Sequence, residues 1–153
     1  MKMTEKEEPG KEIVSMLRGR KFKTFINSQF ADLRKEYDLK QIEVEALIFY
    51  EKNPDAAACE AYRSMDLNKG YLSTALYDLC QAGYMISGQS SESRRVVHYE
   101  ITEKGYRVLT QIKQIRYRLF RYLFDGISEE EMEILKKAAE KISWNIDRIG
   151  ISE

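Results

Sequence analysis

Residues able to do covalent or metal chemistry are few in this chain of 153 residues: histidine occurs once, at His98, and cysteine twice, at Cys59 and Cys80. One imidazole cannot build a multi-histidine metal site, and a Ser-His-Asp relay would rest wholly on His98. No Gly-rich phosphate loop or His-paired nucleophile pattern occurs. Two isolated thiols read as small buried apolar groups rather than a disulfide or a redox pair, and His98, on the polar side of a strand pattern, reads as exposed. Neither a catalytic residue, a metal nor a cofactor is expected. What remains is hydrogen bonding and charge. The stretch "LNKGYLSTALYDL", residues 67–79, sets Leu67, Leu72, Leu76 and Leu79 at helical spacing. It leaves Asn68, Lys69, Tyr71, Ser73 and Thr74 on the other face. Some twenty residues on, Ser93-Arg94-Arg95 crowds two guanidinium groups into a polar loop.

Charge separates these two features. The whole chain is neutral, with 25 basic and 25 acidic residues, so bulk charge points to neither nucleic acid nor an acidic partner. Residues 41–83 carry 3 basic and 7 acidic groups, whereas 84–124 carry 8 basic and 3 acidic. Any attraction for phosphate must therefore come from the later segment, which includes Arg94, Arg95, Lys104 and Arg107. Short hydroxyl, amide and ammonium groups near a helix N-terminus are suited to base edges and phosphates. Taken alone, an uncharged amphipathic helix reads first as a solvated surface. Lys104 and Arg107 read equally as phosphate contacts or as plain helix-surface charge.

The elements that must carry these residues are mostly helical. Residues 1–10 are charged and end in Pro9-Gly10, and they are expected to fray. An apolar stripe including Ile13, Leu17, Phe22, Ile26, Phe30 and Leu33 predicts one long helix over 11–37, with Gly19 marking a bend. Asp38 with Gln41 predicts a cap for a second helix ending near Glu51. Asn53-Pro54 restarts the chain into an alanine-rich helix over 55–65. Asn68 is placed to cap the 67–79 helix, and Gly83 to take the left-handed position after it. The pattern then changes to β at 84–87 and 96–101, a hairpin around "GQSSESRR". A long helix over 102–124 follows, then a last helix opened by Ser128 and Glu131. The fold class is mainly α with a small β-hairpin. Helix, short turn, helix and hairpin make a unit at 38–101, flanked by 11–37 and 102–148 in a single domain spanning 1–153. The flanking helices carry more apolar surface than that unit can cover, which points to a twofold dimer. No run of about 18 apolar residues and no apolar leader occurs, so neither a membrane span nor export is expected, and the cytoplasm is the expected location.

Three segments, "MDLNKGYLSTALYDLCQAGYM" (65–85), "SSESRRVVHYEITEKGYRVL" (90–109) and "FDGISEEEMEILKKAAEKI" (124–142), in that order, resemble the MarR (multiple antibiotic resistance regulator) family of winged helix-turn-helix transcription factors. The resemblance covers about residues 11–148. It implies a homodimer that binds double-stranded DNA, with 11–37 and 102–148 as dimerisation helices. The helix at 68–82 would enter the major groove, and Arg95 in the wing the adjacent minor groove. Half-sites would lie about 10–10.5 base pairs apart. It further implies a repressor released by a small aromatic or lipophilic effector. Two departures stand out. Ser93 occupies the place of the family's wing aspartate, and Thr74 stands where an arginine commonly follows the helix serine. The sequence does not locate an effector pocket: Phe25, Phe30, Tyr37, Phe49, Tyr50, Tyr117 and Phe120 read mostly as core and interface. The rival reading is a winged-helix protein–protein interaction module with no operator, which the uncharged helix favours.

Overall fold

The computed structural model describes residues 7–65, 67–89 and 96–150. Eight helices and one hairpin occur among them, in the order α1 (Glu7–Arg18), α2 (Arg20–Gln29), α3 (Ala31–Tyr37), α4 (Gln41–Lys52), α5 (Ala58–Ser64), α6 (Lys69–Gln81), β1 (Met85–Gln89), β2 (Val97–Ile101), α7 (Glu103–Leu123) and α8 (Glu129–Ile149). The mainly helical class with a small hairpin is the one expected. The chain divides into two compact units at Leu119/Phe120.

In the first unit the predicted long helix over 11–37 is broken twice. Gly19 adopts an extended backbone and separates α1 from α2. The second break, at Phe30, was not expected: its backbone leaves the helical hydrogen-bond pattern and its N–H bonds to Asn27. The reason is burial. Phe30 and Leu33 lie in the core, whereas Ile13, Val14, Met16 and Leu17 of α1 are exposed, so the chain turns where its apolar face changes partner.

The cap of α4 also differs from expectation. Asp38 does not open that helix; it ends α3 in the left-handed conformation, at φ 52° and ψ 48°, a region aspartate tolerates better than most residues. Lys40 takes the N-cap position, and its N–H donates to the Glu43 carboxylate at 2.8 Å. Glu43 is only 4% exposed, so this bond satisfies one otherwise unpaired helix-start donor from inside the fold. The alanine-rich helix likewise begins later than predicted. Ala57 stays extended and forms an antiparallel bridge with His98, which delays α5 to Ala58. The same bridge corrects the expectation for His98: it is half-buried, because the outer edge of β2 is partly covered.

The core gathers Val44, Leu47 and Tyr50 of α4, Leu72, Leu76 and Leu79 of α6, and Val108, Leu109 and Ile112 of α7. Each fully buried leucine contributes about 2 kcal/mol. β1 and β2 pair from Met85↔Ile101 to Gln89↔Val97. Their base is locked to the helices. Gly83 has φ 81°, as its place after α6 predicts, and its carbonyl accepts the Thr102 hydroxyl at 2.6 Å. That hydroxyl oxygen also accepts the Gly105 N–H at 3.2 Å, capping α7. A Cβ at Gly105 would lie 2.3 Å from the Tyr84 carbonyl oxygen and 2.7 Å from Ile101 Cγ2. The glycine is thus required for α7 to approach the hairpin.

In the second unit, Ser128 and Glu131 form the predicted reciprocal cap of α8, with bonds of 2.8 and 3.1 Å. Leu135, Ile142, Ile146 and Ile149 of this helix are exposed.

Two substitutions test these constraints by chemical unfolding. Gly105→Ala is expected to destabilise by about 1–3 kcal/mol, the usual range for forced overpacking, because a backbone carbonyl cannot swing aside. Glu43→Ala is expected to lower stability by about 1–2 kcal/mol through loss of the cap, with Glu43→Gln retaining part of it. Unchanged midpoints would contradict the close approach and the buried cap respectively.

Candidate nucleic-acid interface

α6 owes its position to its two ends and one face. At its start Asn68 is the cap, as predicted, its side-chain oxygen accepting the Gly70 N–H at 2.8 Å. Leu72, Ala75, Leu76 and Leu79 are buried, which fixes the rotation of the helix. At its end Lys104 donates to the Ala82 carbonyl at 2.6 Å, placing a cation on the negative end of the helix dipole. The same ammonium lies 4.6 Å from the centre of the Tyr84 ring. Midway, Asp78 pairs with Lys40 at 3.3 Å, so the only carboxylate on α6 already has a cationic neighbour.

What α6 turns outward is a polar and aromatic strip without an arginine. Lys69, Tyr71, Ser73 and Thr74 are all exposed, as the leucine stripe requires. Thr74 is not a free hydroxyl: its Oγ1 donates to the Gly70 carbonyl at 3.0 Å, the common i−4 bond of helical threonine. One exposed residue escaped the sequence reading. Tyr77 is 63% exposed and Tyr71 72%. Three-residue steps place Thr74 between these rings, each step turning about 60° around the axis. Continuing that step from Tyr71 through Thr74 was the signal available in the sequence.

The remaining predicted contacts fall into different surroundings. Arg107 pairs with Glu103 one turn before it, at 2.7 Å on an exposed face. Lys104 closes α6, as described. Ser93, Arg94 and Arg95 lie outside the described residues; the paired strands lead to them from Gln89 and Val97. The structure brings Asn68, Lys69, Tyr71, Ser73 and Thr74 together on the first turns of one helix.

Two clefts adjoin this frame. One, of about 280 Å³, is lined by Asp38, Lys40, Glu43 and Asp78 with Leu39, Leu79 and Ala82. The other, of about 220 Å³, is lined by Tyr50, Tyr99 and Tyr106 with Pro54, Asp55, Glu100 and Ile101. The Tyr50 hydroxyl is buried and finds no hydrogen-bond partner among the described residues. Burial pushes the phenol of Tyr50 well up, and that of Tyr99 up. The thiols depart from expectation on one count. Cys80 is half-buried, and burial raises its pKa, but Cys59 is exposed at the start of α5. Ala58 and Ala61 take the core side of α5, which leaves Cys59 and Glu60 on its exposed side. Among the described residues no group of three or more His, Cys, Asp or Glu side chains is disposed to hold a metal. No helix there is long and apolar enough to cross a membrane.

No protein-family model matches this chain, and no curated protein matches it. Solved structures do. A MarR protein from Peptoclostridium difficile superposes with TM-score 0.74 at 23% identity, over 97% of this chain and 92% of that one. Streptococcus pneumoniae FabT, crystallised in complex with DNA, matches with TM-score 0.72 at 22% identity, over 95% of this chain and 100% of its own. A MarR-family regulator from Listeria monocytogenes, described as putative and complexed with a 26mer DNA, matches with TM-score 0.74 at 20% identity, over 95% and 90%. The chain has the winged helix-turn-helix fold of MarR-family transcriptional regulators.

Proposed function

We propose that this protein is a sequence-specific, double-stranded-DNA-binding transcriptional regulator that acts as a homodimer in the cytoplasm. It is a binding protein rather than an enzyme. The observation that carries the reading is the setting of α6. Its leucine face is buried and its exposed first turns present Lys69, Tyr71, Ser73 and Thr74. It is followed directly by a hairpin whose loop contains Arg94 and Arg95. Two structures of the same fold were determined with DNA bound. On this reading α6 enters the major groove, the wing arginines reach the minor groove, and phosphate contacts supply most of the affinity. Arg107 spends one guanidinium nitrogen on Glu103 and keeps its other donors for a phosphate. Lys104 acts mainly by fixing the end of the reading helix.

Dimerisation is supported by apolar side chains exposed on α1 and, separately, on α8; exposed stripes of this kind mark interaction surfaces. A twofold dimer would read a pseudo-palindromic operator with half-sites about one helical turn apart. A repressor released by a small aromatic or lipophilic effector completes the reading, with the tyrosine-lined cleft beside the Tyr50 hydroxyl, which has no partner among the described residues, as one place for it. The competing reading, a protein–protein module, draws on the absence of arginine from α6 and on its exposed tyrosines, a residue type favoured at protein interfaces.

Footprinting on the DNA flanking its own gene tests the main reading. Protection of a symmetric site is expected, with affinity falling linearly in log–log against salt. Arg94→Ala and Arg95→Ala together should weaken binding and reduce that slope by about 4, one per lost phosphate or groove cation, since each of the two chains of the dimer loses two. An unchanged affinity would remove the wing from the interface. Failure to retain any of this DNA at low salt, with a stable protein complex instead, would favour the module. For the dimer, Ile142→Glu is expected to shift the mass measured by light scattering from two chains towards one; a monomeric parent protein would defeat the proposal.

A further inference from the structure

We infer that α6 reads thymine methyl groups, so that the preferred half-site is A·T-rich at the base pairs facing Thr74. This rests on the DNA-binding reading above and extends it to the kind of base recognised. Side chains suited to the other bases are either missing from the exposed face of the helix or engaged elsewhere. Discrimination for guanine comes chiefly from Arg or Lys donating to two acceptors at once, and the only such residue on α6 is Lys69, in its first turn. Adenine is best read by an Asn or Gln using its oxygen and its nitrogen together. The Asn68 oxygen is committed to the Gly70 N–H at 2.8 Å, and Gln81 is the last residue of the helix, at the end opposite to the one that meets bases in this motif. Cytosine is read by a carboxylate, and Asp78 faces Lys40 at 3.3 Å.

Ser73 keeps an exposed hydroxyl on this face, but a hydroxyl can bond to any of the bases and tells them apart poorly; the chemistry left there that can discriminate is apolar. The Thr74 hydroxyl gives its proton to Gly70, at 3.0 Å. That bond fixes the side-chain rotamer and leaves the methyl group of Thr74 as its distinguishing feature. Tyr71 and Tyr77, at 72% and 63% exposure, flank it at three-residue steps. Two rings around a methyl make an apolar strip on a helix that otherwise offers hydroxyls. In the major groove the one apolar group a base displays is the C5 methyl of thymine. The strip has no other complement among the four base pairs.

Deoxyuridine, which is thymine without that methyl, provides the test. Once the protected site is mapped, each thymine in a half-site is replaced singly by deoxyuridine and affinity is measured for the full-length protein. Loss of about fourfold is expected at one or two positions, the worth of one buried methyl-sized group. The same replacements should have no effect on the Thr74→Ser variant at the position facing Thr74, because serine keeps the hydroxyl bond and lacks the methyl. Tyr71→Phe and Tyr77→Phe, which keep the rings, should retain the sensitivity, whereas Tyr71→Ala or Tyr77→Ala should reduce it. Tight binding that is indifferent to every thymine replacement overturns this inference and leaves the DNA-binding reading intact. No DNA retained at low salt overturns both.

Discussion

The closeness of the first turn of α7 to the base of the hairpin governs where α6 and the two strands stand. Residue 105 sits against the Tyr84 carbonyl and Ile101, with room for hydrogen but not for a Cβ, whose nearest approach would be 2.3 Å. One hydroxyl, that of Thr102, then bonds both to Gly83 at the end of α6 and to Gly105 at the start of α7. Lys104 reaches back to the Ala82 carbonyl that caps α6 and lies over the Tyr84 ring. Three of the four residues of Thr102-Glu103-Lys104-Gly105 therefore have partners at the junction of helix, strand and helix. If this contact opened, β1, β2 and the C-terminal end of α6 would lose their shared reference. The geometry of a two-groove reader depends on that reference, since helix and wing must meet adjacent grooves in one register.

The parts of this arrangement that were legible in the sequence are those set by local rules. Asn68, Gly83 and the Ser128–Glu131 pair act within three or four residues, where cap chemistry needs no knowledge of the fold. The hairpin was legible for the same reason, since β-branched and aromatic runs flank a polar loop. Four features were not. Phe30 breaks a helix whose periodicity continues through it, because tertiary burial overrides local propensity. Asp38 carries a cap-like spacing to Gln41, yet the left-handed turn that ends α3 takes it first. Ala57 and His98 meet from positions about forty apart, which no periodicity reports. Lys104 reads equally as a phosphate contact or as surface charge, and its use is decided by a carbonyl twenty-two residues away. Tyr77 belongs to another class: its three-residue spacing from Tyr71 and Thr74 is present in the sequence, but what it exposes is a ring rather than a short polar group.

Stability and recognition draw on different sides of the same short helix. The buried side of α6 is plain leucine packing, and its ends are tied by Asn68 and Lys104. None of that requires the outward side to be charged. Asp78, the sole acid on the helix, is set beside Lys40 of the α4 start; at this exposure the pair contributes little stability, but it reduces a repulsion that DNA would otherwise meet. The outward face is thereby close to electrically silent.

A silent face is a consistent design for a reader whose cations lie elsewhere. Phosphate attraction is long in range and blind to sequence, and it acts wherever the arginines are. Contacts to base edges are short and act only after docking. Placing Arg94 and Arg95 in the wing loop and leaving α6 with Lys69 alone separates those two tasks along the chain. With an arginine at residue 74, the helix would bind phosphate and guanine strongly in many registers. With threonine there, its hydroxyl bonded to Gly70, the helix gains little from a wrong sequence. On the proposed reading, its discrimination comes from shape and apolar fit between two tyrosine rings, which reward only a close match.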